Sequence, residues 1–280
     1  MLAKALKKRQ LIRINQYHLF EATAKDPEIF KSIINYCNYC GIVLNIKVKT
    51  GGNISLLMNA IIRNNPGFVD LLLEYADKKE ILLDINEKMD RGAYPLLDAA
   101  DRSHLIVEAI IKYANKHNII LNINDSDNKY KRYPLLNAVE VNSEKSAVSL
   151  VDYAVKHDIK LNLNEKFKGS NLLIYTAVIK NNSILVKLLL FYANKINCVL
   201  ELDENDIKSF IKSHNEDLNS PFYKNFIDVN NDPRHKGIFS FSEIDSEIIK
   251  FLKEYKEKNI INIKFCENSE LLKRFNNIKE

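Results

Sequence analysis

Tryptophan is absent from these 280 residues, and glycine, proline, cysteine and methionine number only seven, six, four and three. So little Gly and Pro excludes collagen-like and Pro-rich chains, and argues against sheet-rich folds with many Gly-marked turns. Four Cys do not make a disulfide framework, so a reducing compartment is expected. No apolar run approaches the ~20 residues that span a bilayer. No apolar stretch of ~7–15 residues follows the basic N-terminus, as a secretory signal would require. The sequence therefore reads as cytoplasmic and not secreted, with a nuclear location also allowed. What is present is an apolar share of 46 %, enough to bury a sizeable core in one large domain or two small ones.

The charge is unevenly placed. Lys and Arg outnumber Asp and Glu by 41 to 36, yet residues 1–20 alone hold Lys4, Lys7, Lys8, Arg9 and Arg13 and no acid. The rest of the chain balances, so no global basic field steers it to nucleic acid. The arm has the charge and weak amphipathicity (Leu2, Leu6, Leu11, Ile14) of a transit peptide, but not the Ser enrichment. A capping helix is the other reading.

A repeat decides the fold. Tyr94-Pro95-Leu96-Leu97-Asp98-Ala99 returns as Tyr133-Pro134-Leu135-Leu136-Asn137-Ala138, and Ala22, Ala60, Ala99, Ala138 and Ala177 are spaced by 38 or 39 residues. Tyr36, Tyr75, Tyr113, Tyr153 and Tyr192 form a second column, each followed by Cys or Ala. Alternating runs form a third: Leu44-Asn45-Ile46, Leu83-Asp84-Ile85, Leu121-Asn122-Ile123, Leu161-Asn162-Leu163 and Leu200-Glu201-Leu202. Within a unit, a short apolar segment (95–100) and a longer one with helical periodicity (105–116) precede an extended stretch (119–124) with a two-residue period. A single hairpin of this kind cannot bury its apolar side, whereas stacked copies can. The expectation is an all-α solenoid of stacked helix-turn-helix repeats with short extended or β-hairpin fingers. Second helices are expected near 66–79, 105–118, 145–158 and 183–196, longer than the first ones.

These residues resemble the ankyrin repeat family. Tyr94 to Ala100 matches that family's Thr-Pro-Leu-His-x-Ala-Ala, Ile106-Val107 and Ile110-Ile111 match its second-helix pattern, and Asp84-Ile85-Asn86 matches its finger entry. The family period is about 33, against about 39 here, and the extra residues lie in a lengthened second helix. The Thr and His of the signature are replaced. The Gly that ends the family's second helix is Ala or Cys, which lets the helix run on. Five units are placed at about 12–49, 50–88, 89–126, 127–166 and 167–203, after a basic arm or capping helix at 1–11. Residues 204–280 read as a degenerate repeat and cap. In that part a second helix at Ile248 to Tyr255 continues the Tyr column, short helices are expected at 206–214, 221–226 and 269–275, and a loop is inserted at 229–240. That loop is either an atypical terminal feature or a binding insertion.

No constellation carries catalytic, metal or cofactor chemistry. Cys37 and Cys40 have metal or redox spacing, but Cys37 stands where other units carry Ala, and Cys198 belongs to a unit four layers away. His117 and His157 share one column and read as solvated. There is no phosphate-binding Gly loop, Gly-x-Ser-x-Gly or His-Glu-x-x-His. The chain is not read as an enzyme, and no cofactor or small-molecule substrate is expected.

The resemblance implies a non-enzymatic scaffold that binds a protein partner along a concave face. Three residues after each Ala anchor stand Lys25, Arg63, Arg102, Val141 and Lys180, at a position the ankyrin family uses for contacts. Four bases in a neutral body suit an acidic segment; helix C-termini also favour bases through the macrodipole. The alternative function is a nucleic-acid or membrane-surface contact through the N-terminal arm, although no base-stacking aromatics are interleaved there. The Ala anchors mark close helix approach. Ala99→Leu should therefore overpack and cost ~1–3 kcal/mol, and an unchanged melting temperature would contradict that close approach.

Overall fold

The computed structural model describes residues 16–127, 131–167, 170–209, 212 and 243–278. The N-terminal arm, the expected helix at 221–226 and the 229–240 loop lie outside the described residues. Helices come in pairs: α1 (Gln16–Ala22) with α2 (Pro27–Cys40), α3 (Leu56–Ile62) with α4 (Pro66–Lys78), and α5 (Pro95–Arg102) with α6 (His104–His117). The series continues with α7 (Pro134–Glu140) and α8 (Glu144–Lys156), then α9 (Leu172–Ile179) and α10 (Ser183–Lys195), and adds α11 (Ser246–Glu257) and α12 (Glu270–Asn277). First helices run 7 or 8 residues and second helices 13 or 14. First helices pack on first helices and second on second from α1 to α10, and α11 extends the second column beyond α10. This is an all-α solenoid of stacked helix pairs.

Strands are minor. β1 (Lys49–Thr50) pairs with β2 (Ile54–Ser55), and β3 (Lys166–Phe167) with β4 (Ser170–Asn171), both as antiparallel fingers. β5 (Leu200–Asp203) instead pairs in parallel with β6 (Ile261–Lys264), Leu200 opposite Ile261. The alternating runs of two stacked layers thus lie side by side. The chain between them begins with a helical stretch at 204–209.

The lengthened second helices stop for a local reason. Gly41, Glu80, Asn118, Asp158, Asn197 and Asn259 follow them with φ between 52° and 69°. The next N–H closes each end by donating back five residues: Ile42 to Cys37, Ile81 to Ala76, Ile119 to Ala114, Ile159 to Ala154 and Cys198 to Ala193, at 2.7–2.9 Å. This left-handed cap normally takes Gly, with Asn next. The small residue after each column Tyr is the acceptor, so the stop lies four residues beyond the place where the family's Gly ends its helix. In the last layer Ile260 donates to Tyr255 at 2.9 Å. Tyr255 therefore occupies the Ala column, Glu254 occupies the Tyr column, and the sequence alignment of Tyr255 with Tyr192 is off by one.

Starts are equally regular. Asp26, Asn65, Ser143, Asn182 and Asp245 cap α2, α4, α8, α10 and α11 by accepting a backbone N–H from the first turn, worth ~0.5–2 kcal/mol each. Ala22, Ala60, Ala99, Ala138 and Ala177 are buried, as the close approach of first helices demands.

From sequence the Tyr column is expected half exposed, with buried rings and wet hydroxyls; the rings are buried, but the hydroxyls are buried with them. Tyr75, Tyr113, Tyr153 and Tyr192 are at most 3 % exposed. Each hydroxyl accepts the N–H of the Leu that opens the preceding unit's alternating run: Leu44 (2.8 Å), Leu83 (3.0 Å), Leu121 (3.0 Å) and Leu161 (3.3 Å). Tyr113, Tyr153 and Tyr192 also donate to Ile81, Ile119 and Ile159 carbonyls, two residues upstream. Burial pushes these three phenols above their ordinary range, with the Leu N–H acting the other way, so they are intact hydroxyls at neutral pH. In the fifth unit the Leu200 N–H goes to the Ile260 carbonyl at 2.8 Å, and strand pairing replaces tyrosine. Tyr113→Phe removes the acceptor and leaves a buried N–H unpaired at ~1–3 kcal/mol. The expected result is a lower melting temperature with faster hydrogen exchange at Leu83; protection unchanged at Leu83 would refute the role.

Candidate interaction surface

First helices are sandwiched so fully that little of them meets solvent. In α3 and α5 every residue from Leu56 to Ile61 except Asn59, and from Pro95 to Ala100 except Asp98, is buried. What emerges is their C-terminal ends, and the predicted column sits there. Arg63 is the residue after α3, Arg102 ends α5, Val141 follows α7 and Lys180 follows α9. The Lys25 N–H donates to the Ala22 carbonyl at 3.1 Å, in the turn that closes α1. Lys25, Arg63 and Arg102 are exposed, and Lys180 and Val141 are half-buried.

The members differ in freedom. Arg102 Nη1 donates to the Ile62 carbonyl of the preceding unit at 3.1 Å, and its other terminal nitrogen lies 3.6 Å from Asp98. Burial pushes the Asp98 carboxyl up, while Arg102 pulls it down. The centre of the column thus carries a partly compensated charge. Asn65 holds the backbone of Lys25 by donating to its carbonyl at 2.8 Å and to that of Thr23 at 3.0 Å, while its Oδ1 caps α4. Asn182 acts likewise, capping α10 and donating to Asn142 and Glu144 at 2.8 Å. These capping residues escaped the sequence reading. Their signal was there: Asp26, Asn65, Ser103, Ser143 and Asn182 each precede a column Tyr by ten positions.

The fingers adjoin this surface and are tied in series. Lys49 bonds Glu87, Lys88 bonds Asp125 at 2.7 Å, and Asn53 donates to the Lys88 carbonyl at 3.3 Å. Asn86 donates to the Ile120 carbonyl at 2.7 Å and accepts the Asn122 N–H at 3.0 Å; Asn124 repeats this on Lys160 and Asn162 at 2.8 and 3.0 Å. The Tyr94 hydroxyl, just before Pro95, shares its one proton between the Asn122 and Asp125 carbonyls, at 2.6 and 2.8 Å. It ties the start of α5 to the stretch at 122–125.

His117 and His157 depart from the solvated reading. His117 Nε2 lies 2.6 Å from Asp77 and His157 Nε2 2.8 Å from Asn115, both on the preceding second helix. Their rings tilt against Tyr113 and Tyr153 at 4.3 and 4.2 Å. They pin adjacent layers. Cys37 is buried, and that burial, with Cys40 adding to it, pushes its thiol up. Among the described residues, no three His, Cys, Asp or Glu side chains gather as metal ligands, and no helix is long and apolar enough to cross a membrane.

No family model and no curated protein matches the chain. Among solved structures it is similar to an ankyrin repeat domain from Acinetobacter baumannii AYE. The two share 19 % identity over 64 % of this chain and 82 % of that one, with a TM-score of 0.46.

Asp77 supplies a pH test. Partial burial raises its carboxyl, but the bonds from Lys116 (2.6 Å) and His117 together outweigh that and hold it below the ordinary value. A carboxyl lowered by folding stabilises fully above its unfolded value of about 3.9 and loses that contribution as pH falls through the folded value. Thermal melts of the protein and of Asp77→Asn should differ at neutral pH and converge below about pH 4; a constant difference across that window would exclude the linkage.

Proposed function

We propose that this protein is a non-enzymatic interaction module that binds a protein partner along the surface formed by first-helix ends and fingers. The observation that carries the reading is the column Lys25, Arg63, Arg102 and Lys180: four of five first-helix ends are basic in a body that is otherwise balanced in charge. The supporting arrangement is rigidity. Lys25 is anchored through Asn65, Arg102 through Ile62, and the fingers through successive ion pairs. A preformed surface binds with little ordering cost. The partner this suits is an acidic, extended segment crossing several layers spaced ~10 Å apart. The unit boundaries given above, with a degenerate last unit and cap, belong to the same reading, as does a cytoplasmic setting.

Each exposed ion pair contributes ~0.2–1 kcal/mol. Four in register give ~1–4 kcal/mol, roughly five- to eight-hundred-fold in affinity, fading with salt. The test has two steps. Cross-linking pull-down from native cell extract, read by mass spectrometry, returns the partner. Binding is then measured for the quadruple variant Lys25→Glu, Arg63→Glu, Arg102→Glu, Lys180→Glu, with circular dichroism confirming the fold. A triple variant that spares Arg102 controls for loss of its bond to Ile62. Weaker, salt-insensitive residual binding is expected; undiminished affinity in a folded quadruple variant overturns the site. Steep salt dependence that vanishes on removing residues 1–13 would favour nucleic acid instead.

A further inference from the structure

Beyond the fifth unit, three side chains with reactive ends meet. Glu204 opens the helical stretch at 204–209 and is fully buried. Its carboxylate accepts the N–H of Cys266 at 3.2 Å and that of Leu271, in the first turn of α12, at 3.4 Å. Bonds from Ser269 and Cys266 keep it ionised despite the burial, which acts to raise it. One helical turn on, Lys208 Nζ stands 4.0 Å from Glu204 Oε1 and 2.7 Å from Cys266 Sγ. Glu204 thus fixes the backbone that carries Cys266 and lies beside the Lys208 amine, and both Lys208 and Cys266 remain partly open to solvent.

The separation of nitrogen and sulfur is informative. N–H···O bonds span about 2.7–3.2 Å, and the larger sulfur atom lengthens that range, so 2.7 Å is short for an N–H···S bond. Two atoms joined through one bridging atom lie about 2.5 Å apart, as backbone N and C do about Cα, and the longer bonds of sulfur stretch that distance. The pair stands at the spacing of a one-atom bridge before any bridge is made.

We propose that Lys208 and Cys266 are an oxidative modification site at which one oxygen atom joins them as Nζ–O–Sγ. The oxidant is dioxygen. One O2 accepts four electrons from the amine–thiol pair. One oxygen forms the new N–O and O–S bonds. The other leaves as water with the two hydrogens lost from the pair, so that RSH + H2NR′ + O2 gives RS–O–NHR′ + H2O. The bridge ties the helical stretch after β5 to the segment between β6 and α12, and closes a loop between positions 58 apart. Oxidation therefore locks the C-terminal layer onto the fifth unit, and thiol reductants release it, because sulfur in this state is still open to thiol attack.

The experiment compares the full chain purified anaerobically with reductant against the same protein held in oxygen-saturated buffer, by intact mass and tryptic mapping. The expected product is about 14 Da heavier, yields a cross-linked peptide joining Lys208 to Cys266, melts at a higher temperature and reverts with dithiothreitol. Cys266→Ser and Lys208→Arg should each abolish the adduct, and Cys40→Ser should not. An oxygen adduct on Cys266 alone, a direct S–N link lacking the oxygen, or no change in mass each overturns the proposal. The wild-type comparison decides the matter without the variants, should either fold poorly.

Discussion

A buried backbone N–H at the mouth of each finger governs how this molecule is assembled. The left-handed residue that stops a second helix turns the chain inward, and the Leu that follows brings its amide into the interface with the next unit. Leaving that group unpaired would cost ~1–3 kcal/mol per layer. The next unit answers with a tyrosine hydroxyl, which also donates two residues upstream in three of the four cases. A phenol suits the task because its ring adds buried apolar surface while its far end both accepts and donates. The second helix carries the tyrosine, and its left-handed stop lies five residues further on.

Other contacts between units share that economy. Asn65 and Asn182 each cap a helix with the oxygen and hold the preceding unit with the nitrogen. Asn86 and Asn124 use the same two ends on one neighbouring backbone. An amide offers a donor and an acceptor without charge, so it can enter a half-buried interface at no ionic desolvation cost. This gives the abundant Asn a structural reason. It also bears on the charged surface: Lys25 rests on backbone that the neutral Asn65 side chain holds.

The repeat was legible because apolar and small residues recur with the period of the layers: Ala60, Ala99, Ala138 and Ala177 could be placed in a close contact from their spacing alone. The role of Tyr75 or Tyr113 was not, since its partner is a backbone group and every residue type but proline supplies one. His117 was misjudged for a related reason: its partner Asp77 lies 40 positions away, where local periodicity has no reach. Tyr255 was placed one position out because inserted chain broke the count, and a Tyr offered a false anchor. The basic column was visible in sequence, but the engagement of Arg102 by Ile62 and Asp98 depends on rotamers that a repeat alignment does not carry.

The parallel pairing of β5 with β6 separates spatial order from chain order. Layers α10 and α11 touch and their alternating runs share hydrogen bonds, yet residues 204–245 intervene between β5 and the start of α11. Loop closure grows only slowly with length, so the joint is nearly indifferent to how much chain it spans. Such a joint is a natural port: sequence can be lengthened, shortened or exchanged there across generations while the array on either side keeps its register.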